Sequence, residues 1–150
     1  LKKYTARNDK TNLILFSEDN SELGRIIEEI KVFSIRYALI LHSKKYNIKN
    51  VGFLGNDAEF MDFEKVVYFT DLAKERIIKS GENVKIYHFK LGRINQLFEK
   101  GRLIVEIRTH KKWFKDSFFS IEAEDSAEDL LILLFLHYST REFNGIGGDA

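Results

Sequence analysis

The 150 residues carry 24 Lys and Arg against 23 Asp and Glu, and a chain so nearly neutral is not marked by bulk charge as a nucleic-acid binder. With no cysteine it has no disulfide framework, no thiolate zinc site and no cysteine nucleophile, and a reducing cytoplasmic setting suits it. A composition 44% hydrophobic and 31% charged predicts one folded domain without a transmembrane segment, because the longest apolar run, residues 130–136, falls well short of the roughly 18 that a spanning helix needs.

That domain is expected over residues 1–143, with a flexible tail over 144–150, and residues before Leu1 are expected to have been removed. Along the chain, residues 13–16 form the first clear strand, and Glu18-Asp19-Asn20-Ser21 follows as a turn. Residues 21–43 stay open. Leu23, Ile26, Ile27, Ile30, Phe33, Tyr37 and Leu41 fit helical spacing, whereas Val32, Ile35, Leu39 and Ile40 fill the opposite face and suit a pair of strands.

Further strands are predicted at 46–54, 65–69, 84–90, 103–108 and 118–121. Glu99-Lys100-Gly101 joins 94–98 to 103–107 as a hairpin, with Gly101 supplying a positive φ at little steric cost. Ser126-Ala127-Glu128-Asp129 has capping-box spacing and predicts a helix that starts there. Residues 130–136 then turn almost twice about the helix axis and are apolar on every face, so this helix is predicted to be buried. Residues 137–142 are expected to mark its emergence into solvent, and Phe143-Asn144-Gly145 its end.

A resemblance enters over residues 103–138, about a quarter of the chain. Leu103-Ile104-Val105-Glu106-Ile107-Arg108, then Lys111-Lys112-Trp113-Phe114, Asp116, Phe118-Phe119-Ser120-Ile121, an acidic turn and the apolar helix follow in that order. This resembles the C-terminal signature of the LURP-one-related and phospholipid scramblase-like proteins of the tubby C-terminal-like superfamily. The resemblance implies a mainly β fold, a closed antiparallel β-barrel around the C-terminal hydrophobic helix. Asp19-Asn20-Ser21-Glu22-Leu23-Gly24-Arg25-Ile26 looks like the family's repeated turn-then-strand pattern and implies strand there. Members are associated with phosphoinositides, with membranes or with plant defence, and no functional residue of theirs is carried onto this chain.

The candidate ligand-binding residues are Arg108, His110, Lys111, Lys112 and Trp113. Adjacent cations attract phosphate, and an amphipathic aromatic suits a membrane interface. The competing reading is a solvated turn whose Trp packs inward. Lys44, Lys45 and Lys49 around Tyr46 form a second basic patch, against which stands the reading of solubilising lysines. Glu122, Glu124, Asp125, Glu128 and Asp129 lack the order of a calcium loop and are read as helix-capping acids. His42, His88, His110 and His137 have no metal-ligand spacing, and no G-x-S-x-G elbow is present.

The expectation is a non-enzymatic binding module without cofactor, cytoplasmic and peripheral to the membrane, that meets anionic phospholipid or membrane surfaces. The alternative is a protein–protein interaction domain that uses strand edges or surface aromatics such as Phe60, Phe63 and Tyr68. A third reading is an enzyme with a pocket at the barrel mouth.

Overall fold

Short apolar segments separated by two- to five-residue connections can satisfy their backbone only by pairing with sequence neighbours, and this chain does so all the way round a ring. The computed structural model describes residues 1–112 and 115–141, with the backbone alone at 112, 115 and 116. The strands are β1 (Lys2–Asp9), β2 (Asn12–Ser17), β3 (Glu22–Lys31), β4 (Ser34–Leu41), β5 (Lys44–Val51) and β6 (Asp57–Asp62). They continue with β7 (Lys65–Asp71), β8 (Arg76–Lys79), β9 (Lys85–Lys90), β10 (Ile94–Glu99), β11 (Arg102–Lys112) and β12 (Lys115–Ala123), before the helix α1 (Asp129–Thr140). Each strand runs antiparallel to its sequence neighbours and β1 also pairs with β12, so twelve strands close into a barrel.

Residues 21–43 are strands. They form β3 and β4, paired from Gly24↔Leu41 to Lys31↔Ser34. The helical spacing came partly from Ile30 and Phe33, which a helix would bury but which stand exposed on this hairpin beside Val32 and Ile35. The predicted turn at Lys100-Gly101 is present, with both residues at positive φ, as the twist of a tight hairpin requires.

The side chains of residues 131–136 in α1 are all 0 or 1% exposed. Burial of this run contributes on the order of 10 kcal/mol before conformational entropy is set against it. Gly24 on β3 lets the helix approach: a Cβ there would sit 3.2 Å from Leu133 Cδ2 and 2.5 Å from the Ile40 carbonyl oxygen. Three tyrosines hold the helix ends. The Tyr4 hydroxyl donates to Asp129 Oδ1 at 2.9 Å, that of Tyr68 to Glu128 Oε2 at 2.7 Å, and that of Tyr138 to the Asn56 carbonyl at 3.0 Å.

Four expectations are corrected by this packing. The residue capping α1 is Glu128, not Ser126, and its side chain makes no cap hydrogen bond, because its carboxylate is taken by Tyr68 and by Lys79 Nζ at 2.5 Å. His137 and Tyr138 do not emerge into solvent but are buried. Phe60 and Tyr68 are core residues rather than surface aromatics, while Phe63 is exposed. The helix stops at Thr140 with Arg141 as its C-cap, and Phe143-Asn144-Gly145 and the tail lie outside the described residues.

Alternating strand direction sorts every connection to one of two ends. The β1–β2, β3–β4, β5–β6, β7–β8, β9–β10 and β11–β12 connections share one rim, called upper here, and the others share the lower rim. The N-terminus of α1 lies at the lower rim and its C-terminus at the upper, where Arg141 reaches Asn50 and Gly55. Among the described residues, no helix is long and apolar enough to cross a membrane.

Candidate functional site at the upper rim

The predicted cluster lies on the β11–β12 hairpin, which outgrows its neighbours. Pairing with β10 ends at Ile94↔Arg108 and pairing with β1 ends at Arg7↔Phe118, so Thr109–Lys112 project from the rim. Arg108 turns back onto Glu106, with Nε at 3.0 Å and Nη2 at 2.8 Å from Oε1, and its charge is largely spent within the strand. The His110 ring stacks on Phe118 with centroids 4.6 Å apart, and its Nε2 lies 2.7 Å from Ser120 Oγ. Lys111 is exposed. Lys112 pairs with Lys115 along the ladder, and its side chain and all of Trp113 lie outside the described residues.

The second basic patch is mostly neutralised. Lys44 Nζ lies 2.7 Å from Asp62 Oδ2 and rests over the Tyr46 ring, and Lys45 Nζ lies 2.6 Å from Glu29 Oε1. Three of the acidic residues are likewise engaged by cations, Glu124 by Arg102 at 3.2 Å, Glu128 by Lys79 at 2.5 Å and Asp129 by Lys2 at 3.9 Å and His42 at 3.2 Å. Among the described residues, no group of three or more His, Asp or Glu side chains is placed to hold a metal ion.

Sequence reasoning missed the more prominent projection, the β3–β4 hairpin. Pairing between β2 and β3 ends at Leu13↔Ile26, and pairing between β4 and β5 ends at Ala38↔Asn47. Beyond those points the two strands have only each other and rise from the rim as an arm. Its tip is apolar: Val32 is 88% and Phe33 98% exposed, with Ile30 and Ile35 exposed beside them. Lys31 and Arg36 flank this tip, and Phe53 and Leu54, also exposed, lie on the same rim in the β5–β6 connection. One local signal was available, since turns favour Gly, Asn, Asp and Ser, and Val32-Phe33 at a hairpin tip has none of them.

Two cavities adjoin the arm. A cleft of about 660 Å³ opens where β4 parts from β5, and a second of about 460 Å³ lies at the barrel mouth, the two sharing Tyr37 and Asn50. At the mouth, burial pushes the His137 imidazole down to about 3, with the Arg141 charge adding to the effect, so the ring is neutral. It tilts against Tyr37 with centroids 5.3 Å apart and meets Phe60 edge-on. Arg141 is fixed by Asn50 Oδ1 at 3.1 Å and the Gly55 carbonyl at 2.8 Å, and its guanidinium lies 5.7 Å from the Tyr138 ring centroid. The Thr140 hydroxyl is given to the Leu136 carbonyl at 2.6 Å. This floor is a structural seal around the end of α1.

No protein-family model, no curated protein and no solved structure matches the chain.

Proposed function

We propose that this domain is a non-enzymatic module that docks on anionic membrane surfaces through its upper rim, on a tubby-like barrel with the hydrophobic helix in its lumen. The membrane reading rests on one observation: Val32 and Phe33 stand almost fully in water at the tip of a projecting arm, flanked by Lys31 and Arg36. Large apolar side chains are seldom left so exposed on a tip, and each contributes roughly 1.5–3 kcal/mol when moved out of water. Each cation near an anionic leaflet adds about 1 kcal/mol. Neither contribution alone anchors a protein well, whereas the two together do. Lys111 on the other projecting hairpin extends the positive face at the same end.

The barrel class is supported by the ring of antiparallel strands and by helix contacts on widely separated strands, from Tyr4 on β1 through Tyr68 on β7 to Phe89 on β9. The setting that fits is the cytoplasmic leaflet, where anionic lipid is concentrated. Flotation with phosphatidylcholine vesicles, with and without phosphatidylserine, tests the reading. The wild type is expected to float with anionic vesicles and to be released by salt. Val32→Ser/Phe33→Ser should weaken binding by about a hundredfold at unchanged melting temperature. Lys111→Ala/Lys112→Ala should weaken it less and flatten the salt dependence. Equal flotation of the wild type with both vesicle types, or a tip variant that floats as well as the wild type, would refute the proposal.

A further inference from the structure

The cleft between β4 and β5 has the form of an unfilled strand position. From Ala38 and Asn47 downwards the two strands are paired; above that level Ser34–Tyr37 pair only with β3, and Ile48–Val51 only with β6. In an antiparallel strand alternate residues direct both backbone groups to each side, so two of the four residues at Ser34–Tyr37 turn an N–H and a C=O into the cleft. No other described backbone hydrogen bond reaches these residues. A free edge of this kind is a template for a further strand.

The walls say what that strand would carry. Lys31, Arg36, Lys45 and Lys49 line the cleft against a single carboxylate, Glu29, which is already engaged by Lys45 at 2.6 Å and Lys31 at 3.6 Å. Arg36 and Lys49 form no ion pair among the described residues. Counting along β4 from the buried Leu39 and Leu41, Ile35 and Tyr37 share their inward side and Arg36 the outward side, while on β5 Ile48 alternates with Lys49. The outer half of the cleft is therefore cationic and the inner half apolar. A second copy of the chain pairing at this edge would set one cationic wall against another, so like charge disfavours it.

We propose that the β4–β5 cleft binds an extended acidic peptide by strand addition, the peptide pairing with the edge at Ser34–Tyr37. Acidic side chains at alternate positions would face Arg36 and Lys49, and apolar ones between them would cover Ile35, Tyr37 and Ile48. This site shares Lys31 and Arg36 with the flank of the membrane-facing tip but uses neither Val32 nor Phe33, and peptide binding is read without vesicles, so it stands or falls independently of the membrane reading.

The probe is a fluorescein-labelled octapeptide of alternating glutamate and valine, followed by anisotropy against the intact protein. Three copies serve as controls: one with a central proline, one with the glutamates and valines in two blocks, and one with lysine for glutamate. The alternating acidic peptide is expected to bind at least about tenfold more tightly than each control, because proline removes ladder hydrogen bonds and the block copy cannot match both walls. Bound peptide should slow amide hydrogen exchange at residues 34–37. Arg36→Glu/Lys49→Glu, checked for an unchanged circular dichroism spectrum, should reverse the preference towards the lysine peptide. Equal binding of the proline copy would reduce the effect to non-specific charge attraction and overturn the proposal, as would protection confined to other residues or no binding by any of the peptides.

Discussion

The two rims of the barrel are built on opposite plans. At the lower rim, where α1 enters, polar groups converge on the helix start: Lys79 and Tyr68 meet Glu128, and Tyr4, Lys2 and His42 meet Asp129. Burial favours protonated Glu128, but the hydrogen bonds from Lys79 and Tyr68 outweigh it and hold the carboxyl below its usual range. At the upper rim two hairpins leave the ring, the wall opens between β4 and β5, and the tip of one hairpin is apolar, although exposed apolar residues are also found at the lower rim, at Phe63 and Val84. One end keeps the fold together while the other gives up contacts it could have made. Residues that stabilise the barrel and residues that bind should therefore separate by rim, and that separation can be broken by experiment.

The largest effect is expected from neither rim but from the helix that joins them. Phe135 is fully buried at the middle of α1, and Phe135→Ala should cost about 3–5 kcal/mol, a fall in melting temperature of roughly 6–20 °C for a domain of this size. Because α1 touches strands at both ends, one cooperative transition should shift as a whole. A two-step melt in which only the upper rim loosened would show that the rims fold independently, and the comparison would have to be redrawn.

A smaller effect comes from His137, the buried imidazole beneath the upper mouth. Its proton affinity is depressed in the folded state, so the unfolded chain takes up a proton as the pH falls below 6.5 while the folded chain stays neutral until about 3. Stability from this group is complete above pH 6.5 and drains away below it, with a slope approaching about 1.4 kcal/mol per pH unit. The interval from 6.5 down to 4.5 separates it from Glu128, whose contribution is lost only below its ordinary value of 4.5. Denaturant melts across that interval should show the slope in the wild type and lose it in His137→Phe, which keeps a ring against Tyr37 and Phe60. An equal slope in both proteins would mean that His137 is not the group responsible.

The lower rim was the more legible from sequence, and the reason is locality. Lys100-Gly101 announces its turn through the positive φ that glycine accepts, and the apolar run at 130–136 announces burial through its own periodicity. The capping residue was misread because Ser126 fits a local motif, whereas the actual start at Glu128 is decided by Tyr68 and Lys79, 60 and 49 residues away. Phe60 and Tyr68 were taken for surface residues because a strand's inward parity is fixed only once its register in the ring is known. The exposed arm was the least legible element. Nothing in residues 27–37 says that β2 starts only at Asn12 or that β5 turns away after Asn47, and those two facts are what leave Ile30, Val32 and Phe33 in water.

The smallest expected effect sharpens the contrast from the lower side. The β4–β5 turn places both His42, at φ 48°, and Ser43, at φ 68°, in the left-handed region, which L-residues with a Cβ occupy at some cost. The His42 imidazole offsets part of that cost through its contact with Asp129 at 3.2 Å, but the Ser43 side chain has no described partner. In a two-residue hairpin of this twist the second position favours glycine. Ser43→Gly should raise stability by about 0.5–1 kcal/mol, or roughly 1–4 °C in melting temperature, and leave vesicle and peptide binding at the opposite rim unchanged. A gain in stability accompanied by a change in binding would mean that the lower turn is coupled through β4 to the arm it begins beneath.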